Sequence, residues 1–332
     1  MKRWQNGALI LLYHRVADAE FDPQLLCVSL RHFAEQLEAL AAKVELLSLQ
    51  GLVAALRDRT LPRRAAVVTF DDGYADNLHA AKPLLEKHRV PATVFVSTGS
   101  LDAGVGYWWD RLEWLLLRPG LLPAVLEIRL ADRTLRWELG EAARYEETGF
   151  QQRRGWNVLA GHDPTPRHAA YRDLHRLLRQ CSPSEHQSAL AQIEAYHQPY
   201  AHAEKQPRGL TADELVRLVS DGLVEVGAHS VTHPKLAGLT LAEQRREIQQ
   251  GKERLEAVLG REVTSFAYPF GSSDDYTPDT VALVRYAGFS CVCTNVAGVV
   301  RQTSNVFELP RMIVRDWGGD EFASQLREWF LE

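Results

Sequence analysis

Residues 65 to 96 decide the fold. They open with Ala65-Ala-Val-Val-Thr-Phe70, pass through Asp71-Asp-Gly73, keep a helical character from about Tyr74 to His88, and close on Pro91-Ala-Thr-Val-Phe-Val96. A six-residue apolar run without polar alternation is the pattern of a strand buried on both faces, as in parallel sheets covered by helices. Strand, helix and strand in that order make one βαβ unit. The same rhythm extends outward in both directions. Ala8-Leu-Ile-Leu-Leu-Tyr-His14 reads as a strand, Ser29 caps a helix carrying Leu30, Phe33, Leu37 and Leu40, and a strand at Val44 to Leu47 precedes a helix from about Ser48 to Arg57. After residue 207, Thr211 with Glu214 and Thr240 with Glu243 form capping boxes, and Gly260 closes the second of these helices. Strands are expected at Leu223 to Val226, Val263 to Tyr268, Phe289 to Thr294 and Glu308 to Val314, with a last helix from about Asp320 to Phe330. The expected class is α/β, a distorted (β/α) barrel of seven or eight units built from residues 1–103 and 207–332.

Residues 104–206 break this rhythm and are read as a mainly helical insertion between the fourth and fifth strands, of unassigned role. The insertion holds Trp108, Trp109, Trp114, Trp137 and Trp156 and six of the twelve histidines. Trp108 and Trp109 suit either buried packing or stacking on sugar faces. His162, His168, His175, His186, His197 and His202 lack a partner pattern and are read as surface residues.

The 332-residue chain has 38 Lys+Arg against 43 Asp+Glu, a net charge of -5. No basic stripe is present to neutralise phosphates, which argues against nucleic acid as a partner. The apolar run after Met1-Lys-Arg3 spans only Ala8 to Tyr13, too short for a signal peptide core or a membrane span, so a cytoplasmic location is expected. The four cysteines form no CxxC pair, which excludes a zinc ribbon and fits free thiols. Cys291-Val-Cys293 is read as placing its two thiols on opposite sides of a strand.

In a parallel barrel the reactive side chains gather at the C-terminal ends of strands. Here those ends carry His14, Asp71-Asp-Gly73, His229-Ser-Val-Thr-His233 and Tyr268-Pro-Phe-Gly271. Adjacent carboxylates repel unless a cation or proton separates their roles. One can bind metal while the other serves as a base, although for the pair taken by itself a plain Asp-Gly turn is the favoured explanation. Two histidines four apart can converge on one cation across a turn. With one Asp they supply three protein ligands and leave a position open, the arrangement of catalytic zinc. Asp76 and Asn77 are read as capping residues in the next helix.

Thr69-Phe-Asp-Asp-Gly73, His229-Ser-x-x-His233 and Phe266-Ala-Tyr-Pro-Phe-Gly271, in that order, resemble the polysaccharide deacetylases of carbohydrate esterase family 4, the NodB-homology domain. The resemblance covers about residues 7 to 103 and 207 to 315. It implies that Asp71 is the general base acting on a metal-activated water, and that Asp72, His229 and His233 hold a divalent ion, most often Zn2+. Tyr268 and Phe270 then lie on the oxyanion and substrate side, with the Phe270 N–H as a donor. The chain departs from the commonest family pattern in two places. The late Leu-x-His motif reads Leu309-Pro-Arg311, and Ala267 stands where many members carry a base-holding Arg. Leu12-Tyr-His-Arg15 resembles a variant with an N-terminal Tyr-His motif, which makes His14 the candidate acid. Arg311 is the candidate to orient Asp71, a surface salt bridge being the other reading of that residue.

The resulting expectation is a metal-dependent hydrolase removing N-acetyl groups from amino sugars of a glycan or glycan precursor. Two other readings are an amide or imide hydrolase with a non-sugar substrate, and a catalytically silent carbohydrate-binding protein. Intact carboxylates and ligands speak against the last.

Overall fold

The computed structural model describes residues 7–101, 106–130, 133–199 and 206–331. Eight strands form one sheet: β1 (Ala8–Tyr13), β2 (Glu45–Leu46), β3 (Ala65–Phe70), β4 (Ala92–Val96), β5 (Val224–Ala228), β6 (Ser265–Ala267), β7 (Cys291–Cys293) and β8 (Met312–Ile313). Their spatial order is β7-β6-β5-β4-β3-β1-β8, all pairs parallel, with β2 also on β3. Segment 306–313 runs from β7, where Leu309 N–H donates to Val292 O (2.9 Å), to β1, where Leu11 pairs with Met312. The sheet therefore curls back toward its first strand as an incompletely closed barrel.

Helices α1 (Leu30–Lys43), α2 (Leu49–Arg57), α3 (Lys82–His88), α4 (Ala212–Leu218), α5 (Leu241–Leu259) and α6 (Pro278–Tyr286) fill the crossovers, and α7 (Gly319–Trp329) follows β8. The anticipated capping boxes start α4 and α5, and Gly260 ends α5 at φ 64°. Alternate residues of each strand face two cores. Leu9, Leu11, Val68, Val94 and Val226 pack with residues of α1 and α3 to α7, whereas Ala8, Ile10, Val67, Phe95 and Ala267 fill the concave side together with Leu49, Leu52 and Leu56 of α2. This double burial is why the strands read as continuous apolar runs. Gly227 is needed on the concave side, because a Cβ there would stand 2.4 Å from Phe95. Cys291 and Cys293 both lie in that inner cluster, correcting the expectation of opposite faces. Side chains at i and i+2 of a strand share a face.

By contacts the chain divides into two units, one of residues 1–19, 26–104 and 209–332, the other of residues 20–25 and 105–208. The second contains helices Trp108–Leu117, Glu147–Arg153, Pro166–Leu178 and Pro183–Tyr196. It also holds an antiparallel hairpin, Val125–Leu130 with Arg133–Glu138, whose period-2 signal (Leu126, Ile128 and Leu130 buried, Glu127 and Arg129 exposed) was legible in the sequence and missed. Trp108 and Trp109 are buried, the latter stacked on Tyr107.

His168, His186 and His197 are buried rather than superficial, and His175 packs against Trp108 and Tyr171; His162 is exposed and His202 lies outside the described residues. The histidines were misplaced because their packing partners are aromatic rings distant in sequence. Burial pushes His168, His175 and His197 down to about 4 and lowers His186 as well. Unfolded imidazoles take up protons near pH 6.5, so between pH 6.5 and 4 the unfolded state binds more protons and stability falls as pH drops. For fully buried His168 the loss approaches roughly 3 kcal/mol at the acid end. Hydrogen exchange at pH 7 and pH 5 is expected to show protection lost in residues 106–130 and 133–199 at the lower pH; equal protection would refute the assignment.

Among the described residues no helix is long and apolar enough to cross a membrane, and Cys27, Cys181, Cys291 and Cys293 are free thiols.

Candidate active site

The parallel register brings the C-terminal ends of β1, β3, β4, β5 and β6 to one rim. Tyr13 pairs with Phe70, and the Asp71 N–H donates to Tyr13 O (3.0 Å), so His14 and Asp71 leave adjacent strands side by side. The His229 N–H donates to Val96 O (3.0 Å), fixing the start of the histidine turn on the end of β4. Four non-glycine residues here have positive φ: Asp72 (72°), Ser230 (64°), His233 (56°) and Phe270 (60°). Such backbone conformations persist only where the surroundings over-determine them, and they concentrate at functional sites.

Asp72, His229 and His233 are buried and converge. Asp72 Oδ1 lies 3.6 Å from His229 Nε2 and 3.4 Å from His233 Nε2, and one ligand atom from each residue falls within 4.8 Å of the others. His229 Nδ1 is 2.7 Å from Ala267 O, which can only accept, so Nδ1 carries the proton and the Nε2 lone pair faces the carboxylate. Burial lowers both imidazole pKa values, that of His233 well below the usual range. The neutral His229 Nε2 lone pair opposed to a buried carboxylate oxygen is repelled by it, and a divalent cation between them removes the conflict. The donor set thus fits such an ion. Glu247 of α5 secures the turn, accepting from Val231 N (2.9 Å), Thr232 N (2.8 Å) and Thr232 Oγ1 (2.7 Å). Sequence reading passed over it, because an acid inside a charged helix carries no local mark of that task.

Asp71 lies beside that trio, its Oδ2 3.9 Å from His229 Nε2, but its hydrogen bonds go elsewhere. Arg311 donates to both its oxygens, Nη1 to Oδ1 (2.7 Å) and Nη2 to Oδ2 (2.6 Å). The other guanidinium hydrogens go to Thr69 Oγ1 (3.3 Å), Thr294 O (2.8 Å) and Asn295 Oδ1 (3.0 Å). All five donors of a fully buried Arg311 are used, so the surface salt bridge reading is excluded. Burial alone would raise the Asp71 pKa, but the Arg311 charge prevails and holds it at about 2.

His14 is half-buried, and desolvation, partly offset by the Asp71 charge, pushes it down to about 4. Asn77 Nδ2 donates to His14 O (2.9 Å), and Asp76 takes Arg15 Nε (2.9 Å) and Val16 N (3.4 Å). These two residues therefore fasten the strand end bearing His14 and make no side-chain cap, in place of the capping role expected for them. They adjoin a π-helical turn, Asn77–Ala81, a distortion frequent at functional sites. Phe270 packs edge-on against His233 with centroids 4.6 Å apart. The Tyr268 side chain is a correction. It is fully buried, stacks on Tyr276 (4.1 Å) and donates its hydroxyl to Phe307 O (3.2 Å), so it serves the outer core and not the rim. Strand alternation sends it there, since its neighbour Ala267 occupies the inner cluster.

Fold and site together define a polysaccharide deacetylase-type chain, and sequence comparison agrees. The family profile described as polysaccharide deacetylase matches residues 58–119 and 187–292, about half of the chain. The chain belongs to the polysaccharide deacetylase family. The poly-beta-1,6-N-acetyl-D-glucosamine N-deacetylase of Staphylococcus aureus (strain MSSA476) is 30% identical over 112 residues, which span 30% of this chain and 39% of that relative. Among solved structures, the deacetylase PplD of Streptococcus pyogenes, in complex with acetate, aligns at a TM-score of 0.58 with 17% identity, covering 96% of this chain and 97% of that one. IcaB from Ammonifex degensii aligns at 0.58 with 21% identity and 98% coverage of both chains. At those identities the structural likeness establishes the shared fold.

Proposed function

We propose that this chain is a metal-dependent hydrolase that removes N-acetyl groups from the amino sugars of a glycan or glycan precursor containing N-acetylglucosamine. One observation carries the reading: two neighbouring carboxylates beside the same histidine have different principal partners. Asp72 faces two neutral imidazoles, and Asp71 is clamped ionised by Arg311. The name of the S. aureus relative supports the substrate class.

In this reading Asp72, His229 and His233 hold the ion, for which the nitrogen-rich set favours Zn2+. The ion supplies Lewis acidity, which acidifies water and polarises an amide carbonyl. Asp71 receives the proton of the attacking water. Arg311 keeps Asp71 ionised, so its carboxylate is available as the proton acceptor at neutral pH. The Phe270 backbone N–H donates to the developing oxyanion. His14 protonates the departing amine, because an amide anion is too poor a leaving group. A pKa of about 4 makes its imidazolium a strong donor once formed, and the Asp71 charge favours forming it.

The test combines metal content with acetate release from N-acetylhexosamine oligomers. Chelation is expected to abolish release and added Zn2+ to restore it. His14→Ala is expected to lower kcat by about 10²–10⁴-fold with metal content unchanged. Release that survives complete metal removal would overturn the reading, and a fully active His14→Ala would take the acid role from His14.

A further inference from the structure

Asn295 lies two residues beyond β7, and both ends of its amide are committed across the site. Its Oδ1 accepts from Arg311 Nη2 (3.0 Å), its Nδ2 donates to Phe270 O (2.7 Å), and its backbone N–H donates to Gly271 O (2.7 Å). A guanidinium only donates and a carbonyl only accepts, so this is the single orientation in which the amide satisfies both partners. The loop it grips is strained. Gly271 N donates to Pro269 O (2.7 Å) around a Phe270 with φ 60°, the three-residue turn of the rare, strained class. The two segments touch directly, since a Cβ on Gly271 would come within 2.8 Å of Asn295 N.

We propose that Asn295 is a positioning residue that ties the Arg311–Asp71 pair to the Pro269–Phe270–Gly271 turn, so that base and oxyanion donor meet a substrate carbonyl as one unit. The inference rests on the deacetylase reading above. Attack on an amide requires the proton acceptor and the oxyanion donor to be correctly placed at the same moment. An error of about 1 Å in either costs on the order of 10²-fold in rate. Without Asn295, Arg311 keeps Asp71, Thr69 and Thr294, whereas the turn loses a bond that opposes its relaxation. The damage therefore falls on the transition state and spares folding and ground-state binding.

The experiment measures kcat and KM for acetate release from N-acetylglucosamine oligomers in wild type, Asn295→Ala and Asn295→Asp. Rates are normalised to the calorimetric Zn2+ stoichiometry, which removes any contribution from partial unfolding. Asn295→Asp is nearly isosteric and still accepts from Arg311, but it cannot donate to Phe270 O. Both variants are expected to lose about 10²-fold in kcat, with KM and Zn2+ affinity within about threefold of wild type. A kcat within twofold of wild type in either variant, or a loss confined to KM, would overturn the proposal. If Asn295→Ala does not fold, Asn295→Asp decides alone. An inactive wild type would overturn the deacetylase reading and this inference with it, whereas active variants beside an active wild type would overturn this inference only.

Discussion

Asp71→Asn is expected to lower acetate release by about 10³-fold while the protein still binds Zn2+ with affinity close to wild type. An amide cannot take a proton from water at neutral pH, so the acceptor is lost and no neighbour replaces it. Asp72 is engaged with His229 and His233, and His14 is the group assigned to protonate the departing amine. Asp71 Oδ2 lies 3.9 Å from His229 Nε2, beyond hydrogen-bond distance, and the hydrogen bonds of the Arg311 side chain run to Thr69, Asp71, Thr294 and Asn295, so Asp71→Asn removes no hydrogen bond to a candidate ligand. Steady-state kinetics with calorimetric Zn2+ titration of the same preparation tests both halves. Turnover near wild type would remove Asp71 from the mechanism, and lost metal binding would place it among the ligands. A carbohydrate-binding protein without catalysis predicts a third pattern, sugar affinity unchanged and no turnover in either form.

The second large effect is on stability. Arg311→Met is expected to destabilise the fold by about 3–5 kcal/mol in denaturant titration, the cost of leaving a buried carboxylate without its counter-charge. Asp71 is 2% exposed and Arg311 is inaccessible, so water cannot compensate. Arg311→Lys is expected to rescue only part of this loss, because three ammonium donors cannot reproduce five planar ones directed at four residues. Combining Arg311→Met with Asp71→Asn removes the stranded charge, and the double variant is expected to be more stable than Arg311→Met alone. A double variant as unstable as the sum of both single changes would mean that the two side chains act independently, against the bidentate geometry.

Much of the site was legible because its parts are local. A strand buried on both faces has to read as an unbroken apolar run, and the residue after such a strand sits on the rim. That logic places Asp71, Asp72 and His229 on the rim, and the two-histidine spacing marks His233. The exchange of partners among elements was not legible. Arg311 stands 240 residues from Asp71; its place at a strand end makes it a candidate to orient that carboxylate, but the sequence leaves a surface salt bridge as a nearly equal reading. Asn295, Glu247, Asp76 and Asn77 act through long-range hydrogen bonds that leave no periodicity. Tyr268 went astray for the converse reason: its motif drew attention to the residue, while strand alternation turned its side chain into the outer core.

The order of strands and helices, the identity of the rim and the residue types gathered on it follow from the sequence alone, since burial periodicity and turn chemistry are properties of neighbours along the chain. The curl of the sheet, the pairing of Arg311 with Asp71 and the burial of the insertion's histidines were decided by tertiary structure. Each depends on which distant groups remain to satisfy a charge, a lone pair or an aromatic face once water has been excluded.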